Sequence, residues 1–170
     1  MTEFAQKLIE WWRQNGRKDL PWQRNKTAYR VWVSEVMLQQ TQASTVVPYF
    51  NRFLTRFPSV RRLAKASEDE VLEYWTGLGY YRRARYLHMA AIQIVGKHAG
   101  QVPDSVDALT SLPGIGRSTA GAIVAIAFRQ TAPILDGNVR RVLSRFYTIN
   151  GKRGAANTEK RLWAHAEANT

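Results

Sequence analysis

The feature that most constrains this chain is a succession of capped apolar stripes at helical spacing, with no run of alternating apolar and polar residues that would read as a strand. Phe4, Leu8, Ile9 and Trp12 predict a helix from Thr2 to Asn15, closed by Gly16. A basic, irregular linker carrying Leu20, Pro21 and Trp22 follows. Thr27 is placed to cap a helix running to about Gln39, and another covers Ser44 to Phe57, with Pro48 tolerable near its first turn. A short helix lies between Ser59 and Ala66. Ser67-Glu68-Asp69-Glu70 reads as a capping box for a helix ending at Gly77. Further helices are expected over Tyr80 to His98, after Ser105, over Arg117 to Phe128, over Asp136 to Tyr147 and from Asn157 onward. The last is still in its amphipathic pattern, uncapped, at Thr170, as in a fragment of a longer domain. Trp11, Trp12, Trp32, Trp75 and Trp163 fall at helical spacings and are assigned to core. The fold class is all-α.

One turn stands apart. Leu112-Pro113-Gly114-Ile115-Gly116 runs directly into the apolar, Ala-rich segment Arg117-Ser118-Thr119-Ala120-Gly121-Ala122-Ile123. Two glycines spaced by one residue permit a tight turn and a close backbone approach, and a helix N-terminus with free N–H groups favours a phosphate. This resembles the hairpin of helix-hairpin-helix DNA-binding proteins, although Pro-Gly serves ordinary interhelical turns as well. Charge favours the first reading. The chain carries 25 basic and 13 acidic residues, a net +12, with pI near 10.5, which suits a polyanion partner. The basic groups concentrate at Arg82, Arg83 and Arg85, at Arg117, and at Arg140, Arg141 and Arg145. There is no cysteine, hence no thiolate metal site, and no metal is assigned. No apolar run is long enough for a membrane span and Met1-Thr2-Glu3 begins no signal peptide, so the expectation is an intracellular protein, cytoplasmic or nucleoid-associated.

Two carboxylates sit in settings that matter chemically. Val31-Trp32-Val33-Ser34-Glu35-Val36-Met37-Leu38 is apolar except for Ser34 and Glu35, so Glu35 is carried towards a low-dielectric interior. Burial without a cation raises a carboxyl pKa, as a general acid near neutral pH requires; pairing with Arg30 is the alternative. Asp136, in Pro133-Ile134-Leu135-Asp136-Gly137-Asn138-Val139, is a natural N-cap, accepting backbone N–H bonds that favour its charged form. One carboxyl pushed up and one held down is the arrangement used in glycoside cleavage.

Four segments in order carry a family resemblance: Val33-Ser34-Glu35-Val36-Met37-Leu38-Gln39-Gln40-Thr41-Gln42, then Trp75-Thr76-Gly77-Leu78-Gly79-Tyr80-Tyr81, then the hairpin, then Leu135-Asp136-Gly137-Asn138-Val139. Together they resemble the adenine DNA glycosylases of the MutY type, in the helix-hairpin-helix glycosylase superfamily. The resemblance implies a monomer that removes adenine mispaired with 8-oxoguanine or guanine in double-stranded DNA by hydrolysing its N-glycosidic bond. It implies that Glu35 protonates the leaving base and assists water, that Asp136 stabilises the sugar cation or a covalent intermediate, and that Asn138 orients Asp136. Gln40 and Tyr80 match residues that wedge into the duplex; Thr41, Gly114, Gly116, Arg117 and Ser118 complete the DNA contacts. Leu20 and Trp22 match a wall of the base pocket. A target base inside a duplex must be flipped out to be reached, which gives wedge and pocket their purpose.

The implied architecture is a six-helix barrel with the hairpin over residues 23–131, and an incomplete second helical domain from residues 1–22 and 132–170. Intact members hold a four-iron, four-sulfur (4Fe-4S) cluster through four cysteines and carry a further domain that reads 8-oxoguanine; this chain has neither. It is therefore expected to bind DNA weakly and to excise slowly or not at all. The endonuclease III type, a bifunctional glycosylase and lyase, carries Lys just after the hairpin for a Schiff base; Ser118 stands there and cannot form an imine. A non-catalytic DNA-holding module is the other alternative, and it would have no use for Glu35 and Asp136.

Overall fold

The computed structural model describes residues 2–152 and 154–170, and among these the chain forms eleven helices and no strand. In order they are α1 (Glu3–Asn15), α2 (Pro21–Arg24), α3 (Ala28–Leu38), α4 (Ala43–Arg56), α5 (Val60–Ala64), α6 (Glu68–Trp75), α7 (Arg82–Lys97), α8 (Val106–Thr110), α9 (Arg117–Phe128), α10 (Gly137–Phe146) and α11 (Ala156–Ala168).

Local chemistry explains most helix starts. The side chains of Thr2, Thr27, Ser59, Ser67, Ser105 and Asp136 each accept a backbone N–H from the residue three positions on. Each such cap satisfies an orphan donor and contributes about 1 kcal/mol. The capping box is only half made, because Glu70 reaches across to Arg56 of α4. Pro48 lies in the second turn of α4 rather than the first, and the helix continues through it. The linker expected to be irregular contains α2, a single turn with Pro21 at its first position. The last helix does have a stop. Asn169 caps α11, its Nδ2 donating to the His165 carbonyl at 2.7 Å and to the Tyr147 hydroxyl at 2.9 Å.

The main core runs from Trp22 to Ala132 and is built by α3, α4, α6, α7 and α9, with Trp32, Trp75, Phe50, Phe53 and Phe57 at its centre. Phe53 meets Trp75 edge-on at 5.8 Å, and the buried Tyr29 hydroxyl donates to the Phe57 carbonyl at 2.8 Å. A second cluster gathers Leu135, Leu143, Ile149, Leu162 and Ala166 from α10, α11 and the flanking loops. Phe4 of α1 joins it, 4.5 Å from Phe146. The tryptophans divide accordingly. Trp32 and Trp75 are fully buried and Trp163 is half-buried, but Trp11 and Trp12 are 60% and 51% exposed, against expectation. Only the Phe4 end of α1 meets the second cluster, and Leu8 and Ile9 further along are exposed with them.

The hairpin joins α8 to α9, with Leu112 and Ile115 buried beneath it. Its two glycines do different work. Gly114 has φ +76, and a Cβ there would lie 2.7 Å from the Cβ of Tyr86 on α7. Gly116 caps α9 at φ −89, and a Cβ there would meet nothing within 4 Å. Gly114→Ala is therefore expected to destabilise the fold by about 1–3 kcal/mol, through left-handed strain plus displacement of Tyr86. Gly116→Ala should cost less than about 1 kcal/mol, the small difference between Gly and Ala at a helix cap. Urea titration of the two variants beside the parent chain measures both; equal losses would refute the distinction.

Candidate active site

α3 packs most extensively against α9. Its residues Val31, Trp32, Val33, Ser34, Val36 and Met37 are all buried, and Glu35 emerges half-buried among them. The possible partner Arg30 is turned away: its Nε donates to the Asn25 carbonyl at 3.0 Å and its guanidinium lies over the Phe50 ring at 5.2 Å. Among the described residues no group hydrogen-bonds to the Glu35 carboxyl. Burial first, and the neighbouring Asp136 carboxylate second, raise its pKa from 4.5 to about 7. Near neutral pH such a group is shared between its acid and its base form, so it can both give and take a proton.

The loop delivering Asp136 is shaped by α9. The Pro133 carbonyl presses so close to Gly121 that a Cβ there would lie 2.5 Å from the oxygen. Ser118 Oγ accepts the Leu135 N–H at 3.1 Å, fixing the residue next to Asp136. Asp136 Oδ1 then accepts the Val139 N–H at 2.7 Å while the residue itself stays exposed. Asn138 makes no hydrogen bond to Asp136; its Oδ1 accepts from Arg141 Nη2 at 3.1 Å, and the cap to Val139 is what orients Asp136. Ser118 is half-buried and its hydroxyl accepts the Leu135 N–H.

Gln40 and Tyr80 are exposed and lie on the rim of one cleft of about 480 Å³, shared with Trp32, Tyr86 and Gly114. Both take left-handed backbone conformations, φ 58 for Gln40 and φ 51 for Tyr80. For residues with a Cβ that costs roughly 1–2 kcal/mol each, so surrounding structure must hold them. The Thr41 hydroxyl accepts from Arg83 at 3.2 Å. Leu20 lines a separate cleft of about 460 Å³ with Pro21, Arg24, Arg30, Val47 and Asn51, whereas Trp22 is buried edge-on to Phe50 at 5.4 Å.

In the hairpin, no side chain caps α9, so its first N–H groups are left to solvent beside the exposed Gly114 and Gly116. The Arg117 side chain, assigned to DNA from the sequence, is engaged within the fold. It pairs with Glu167 of α11 at 2.6 Å and stacks over the Trp163 ring at 3.9 Å. Arg85 pairs with Glu68 and Arg140 with Glu159. The sequence carries no signal for these pairings, which join residues up to 50 positions apart. A thiolate-held iron–sulfur cluster does not fit this chain, which has no cysteine to ligate it. Among the described residues no cluster of His, Asp and Glu has the spacing of a metal site, and no helix is long and apolar enough to cross a membrane.

Comparison with known proteins shows the family. A family profile described as HhH-GPD superfamily base excision DNA repair protein matches residues 33–168. An adenine DNA glycosylase of Buchnera aphidicola is 48% identical over 98% of this chain and 48% of its own length. Its human counterpart by name is 42% identical over 98% of this chain and 32% of its own. The chain thus spans about half the length, or less, of these relatives. The solved structure of a thermostable thymine-DNA glycosylase superposes with TM-score 0.87 at 26% identity, covering 98% of this chain and 76% of that one. With the profile matching most of its length and the all-helical fold shared, the chain belongs to the HhH-GPD superfamily of base excision DNA repair proteins.

Proposed function

We propose that this chain is the catalytic part of a monofunctional adenine DNA glycosylase acting on duplex DNA. The observation that carries the reading is Glu35: a carboxyl among apolar side chains of α3, without a cation, brought within electrostatic reach of Asp136. Protonated Glu35 gives its proton to a ring nitrogen of the adenine, and the bond between that base and the sugar breaks with its electron pair leaving on the base. The sugar carbon is left cationic, and the Asp136 carboxylate faces that charge. Water adds to the carbon, and Glu35, now a carboxylate, takes the proton released. The leaving base is read as adenine because the relatives matched over nearly the whole chain carry that name. The partner base, 8-oxoguanine or guanine, rests on the motif resemblance.

The remaining residues are read around this pair. Gln40 and Tyr80 wedge into the duplex and the uncapped N–H groups of α9 hold a backbone phosphate; that Leu20 walls the flipped base rests on the motif resemblance, since its cleft does not reach Glu35 or Asp136. The net charge of +12 supplies sequence-independent attraction. Two separate apolar clusters support a division into a larger unit and a second one from both chain ends, although Leu20, Trp22 and Ala132, just outside residues 23–131, belong to the larger cluster. Ser118 favours hydrolysis over the lyase chemistry of the endonuclease III type, since a hydroxyl forms no imine.

In the complete enzyme, Glu35→Gln is expected to leave duplex binding within a few-fold and to cut single-turnover adenine release by about 10²–10⁴-fold relative to the parent. Release near the parent rate would remove Glu35 from the role. The parent rate should fall as pH rises above about 7, where Glu35 loses the proton it donates. Stability shares that origin. Between 4.5 and about 7 the folded chain keeps a proton that the unfolded chain has released, so folding weakens as pH rises through this window. The gain in melting temperature of Glu35→Gln over the parent should accordingly be larger at pH 8 than at pH 5, and a gain independent of pH would argue against the raised pKa. For reaction type, borohydride should fail to trap the complete enzyme on DNA, whereas its Ser118→Lys variant should show some trapping. Efficient trapping of the parent would falsify the monofunctional reading.

A further inference from the structure

Resting on the reading of Gln40 and Tyr80 as wedge residues, we propose that Arg83 is the positioning residue that sets one wedge against the other. It sits in the basic run 82–85, yet its neighbours and it behave differently. Arg82 lies along the surface with Nε on the Tyr86 hydroxyl at 2.8 Å, and Arg85 pairs outward with Glu68. Arg83 turns inward and is half-buried.

Its guanidinium bridges two segments about 40 residues apart in sequence. Nη1 donates to the carbonyls of Val36 at 3.1 Å, Met37 at 2.8 Å and Gln39. These are terminal carbonyls of α3, which lack helical partners and attract a cation. Nη2 donates to the Gly79 carbonyl at 3.2 Å and to the Thr41 hydroxyl at 3.2 Å. Gln39 immediately precedes Gln40, and Gly79 immediately precedes Tyr80. One planar fork therefore holds the residue before each wedge, with the guanidinium also 5.1 Å from the Tyr80 ring centre. Trp75 Nε1 adds a second bond to the Gly79 carbonyl at 3.0 Å, so that turn is pinned from the core as well. The two left-handed residues are thus fixed before DNA arrives, and flipping need not order them. Lysine keeps the charge but has no rigid fork to span both segments.

The test reads base flipping directly, apart from the chemistry at Glu35. A duplex carrying 2-aminopurine in place of the mispaired adenine is saturated with the complete enzyme as parent, or with its Arg83→Lys, Arg83→Gln, Gln40→Ala or Tyr80→Ala variant. Fluorescence reports unstacking, anisotropy reports affinity, and melting curves report folding. The parent should raise the fluorescence. Both Arg83 variants should lose most of that rise, while keeping duplex affinity within a few-fold and a melting temperature close to the parent; lysine should not rescue. A full rise with Arg83→Lys would overturn the assignment, as would a rise lost only together with affinity and folding. No rise with the parent, or a full rise with both Gln40→Ala and Tyr80→Ala, would instead bring down the wedge reading and this inference with it. If those two lose the rise and the Arg83 variants keep it, the role of Arg83 alone fails.

Discussion

α9 buries Ala120, Gly121 and Ala122, and side chains this small let a neighbouring backbone come unusually near. On one side α3 packs along it, a helix apolar nearly all round, which places Glu35 in surroundings that disfavour its charge. On another side the Pro133 carbonyl closes onto Gly121, and the Leu135 N–H reaches Ser118 one turn earlier. Those contacts bring Asp136 to the end of the loop, near enough to bias Glu35 by like charge. A larger residue at position 121 would separate the loop from the helix. The electrostatic pair at the site is therefore a consequence of close packing and not of any direct bond between the two carboxyls.

The cations follow a similar logic. A net +12 invites the picture of a surface covered with free positive charge. Much of the arginine named in the sequence is instead used within the fold. Arg83 satisfies helix-end carbonyls, Arg117 docks α11 onto the hairpin through Glu167 and Trp163, and Arg140 joins α10 to α11 through Glu159. Exposed pairs such as Arg85 with Glu68 contribute little to stability and leave their charge to the long-range field. What the fold gains from the arginines is geometry, because a fork with several donors can tie together backbone segments through their carbonyls.

The secondary structure was largely legible from residues alone. Caps at Thr27, Ser59, Ser67, Ser105 and Asp136 are local events, each set by one side-chain oxygen and a backbone N–H three residues away. Misreadings arose where a distant partner competed. Glu70 leaves its capping box for Arg56 and Asn169 caps α11 while holding Tyr147; Trp11 and Trp12, for their part, have the spacing of core residues but stay exposed.

For the site, the sequence by itself determined which groups are present and their local setting: a lone carboxyl in an apolar helix, an Asp at a helix start, two exposed residues at helix or turn ends, and a glycine-bearing hairpin. Periodicity and capping act over three or four residues, so a single chain suffices to read them. Only the tertiary structure decided that Glu35 stays unpaired beside Asp136, that Ser118 and Gly121 shape the loop, and that Arg83 joins Gln39 to Gly79. Those relations depend on which helices meet and at what distance, and a carboxyl pKa or a shared hydrogen bond changes over a few ångströms that no spacing along the chain encodes.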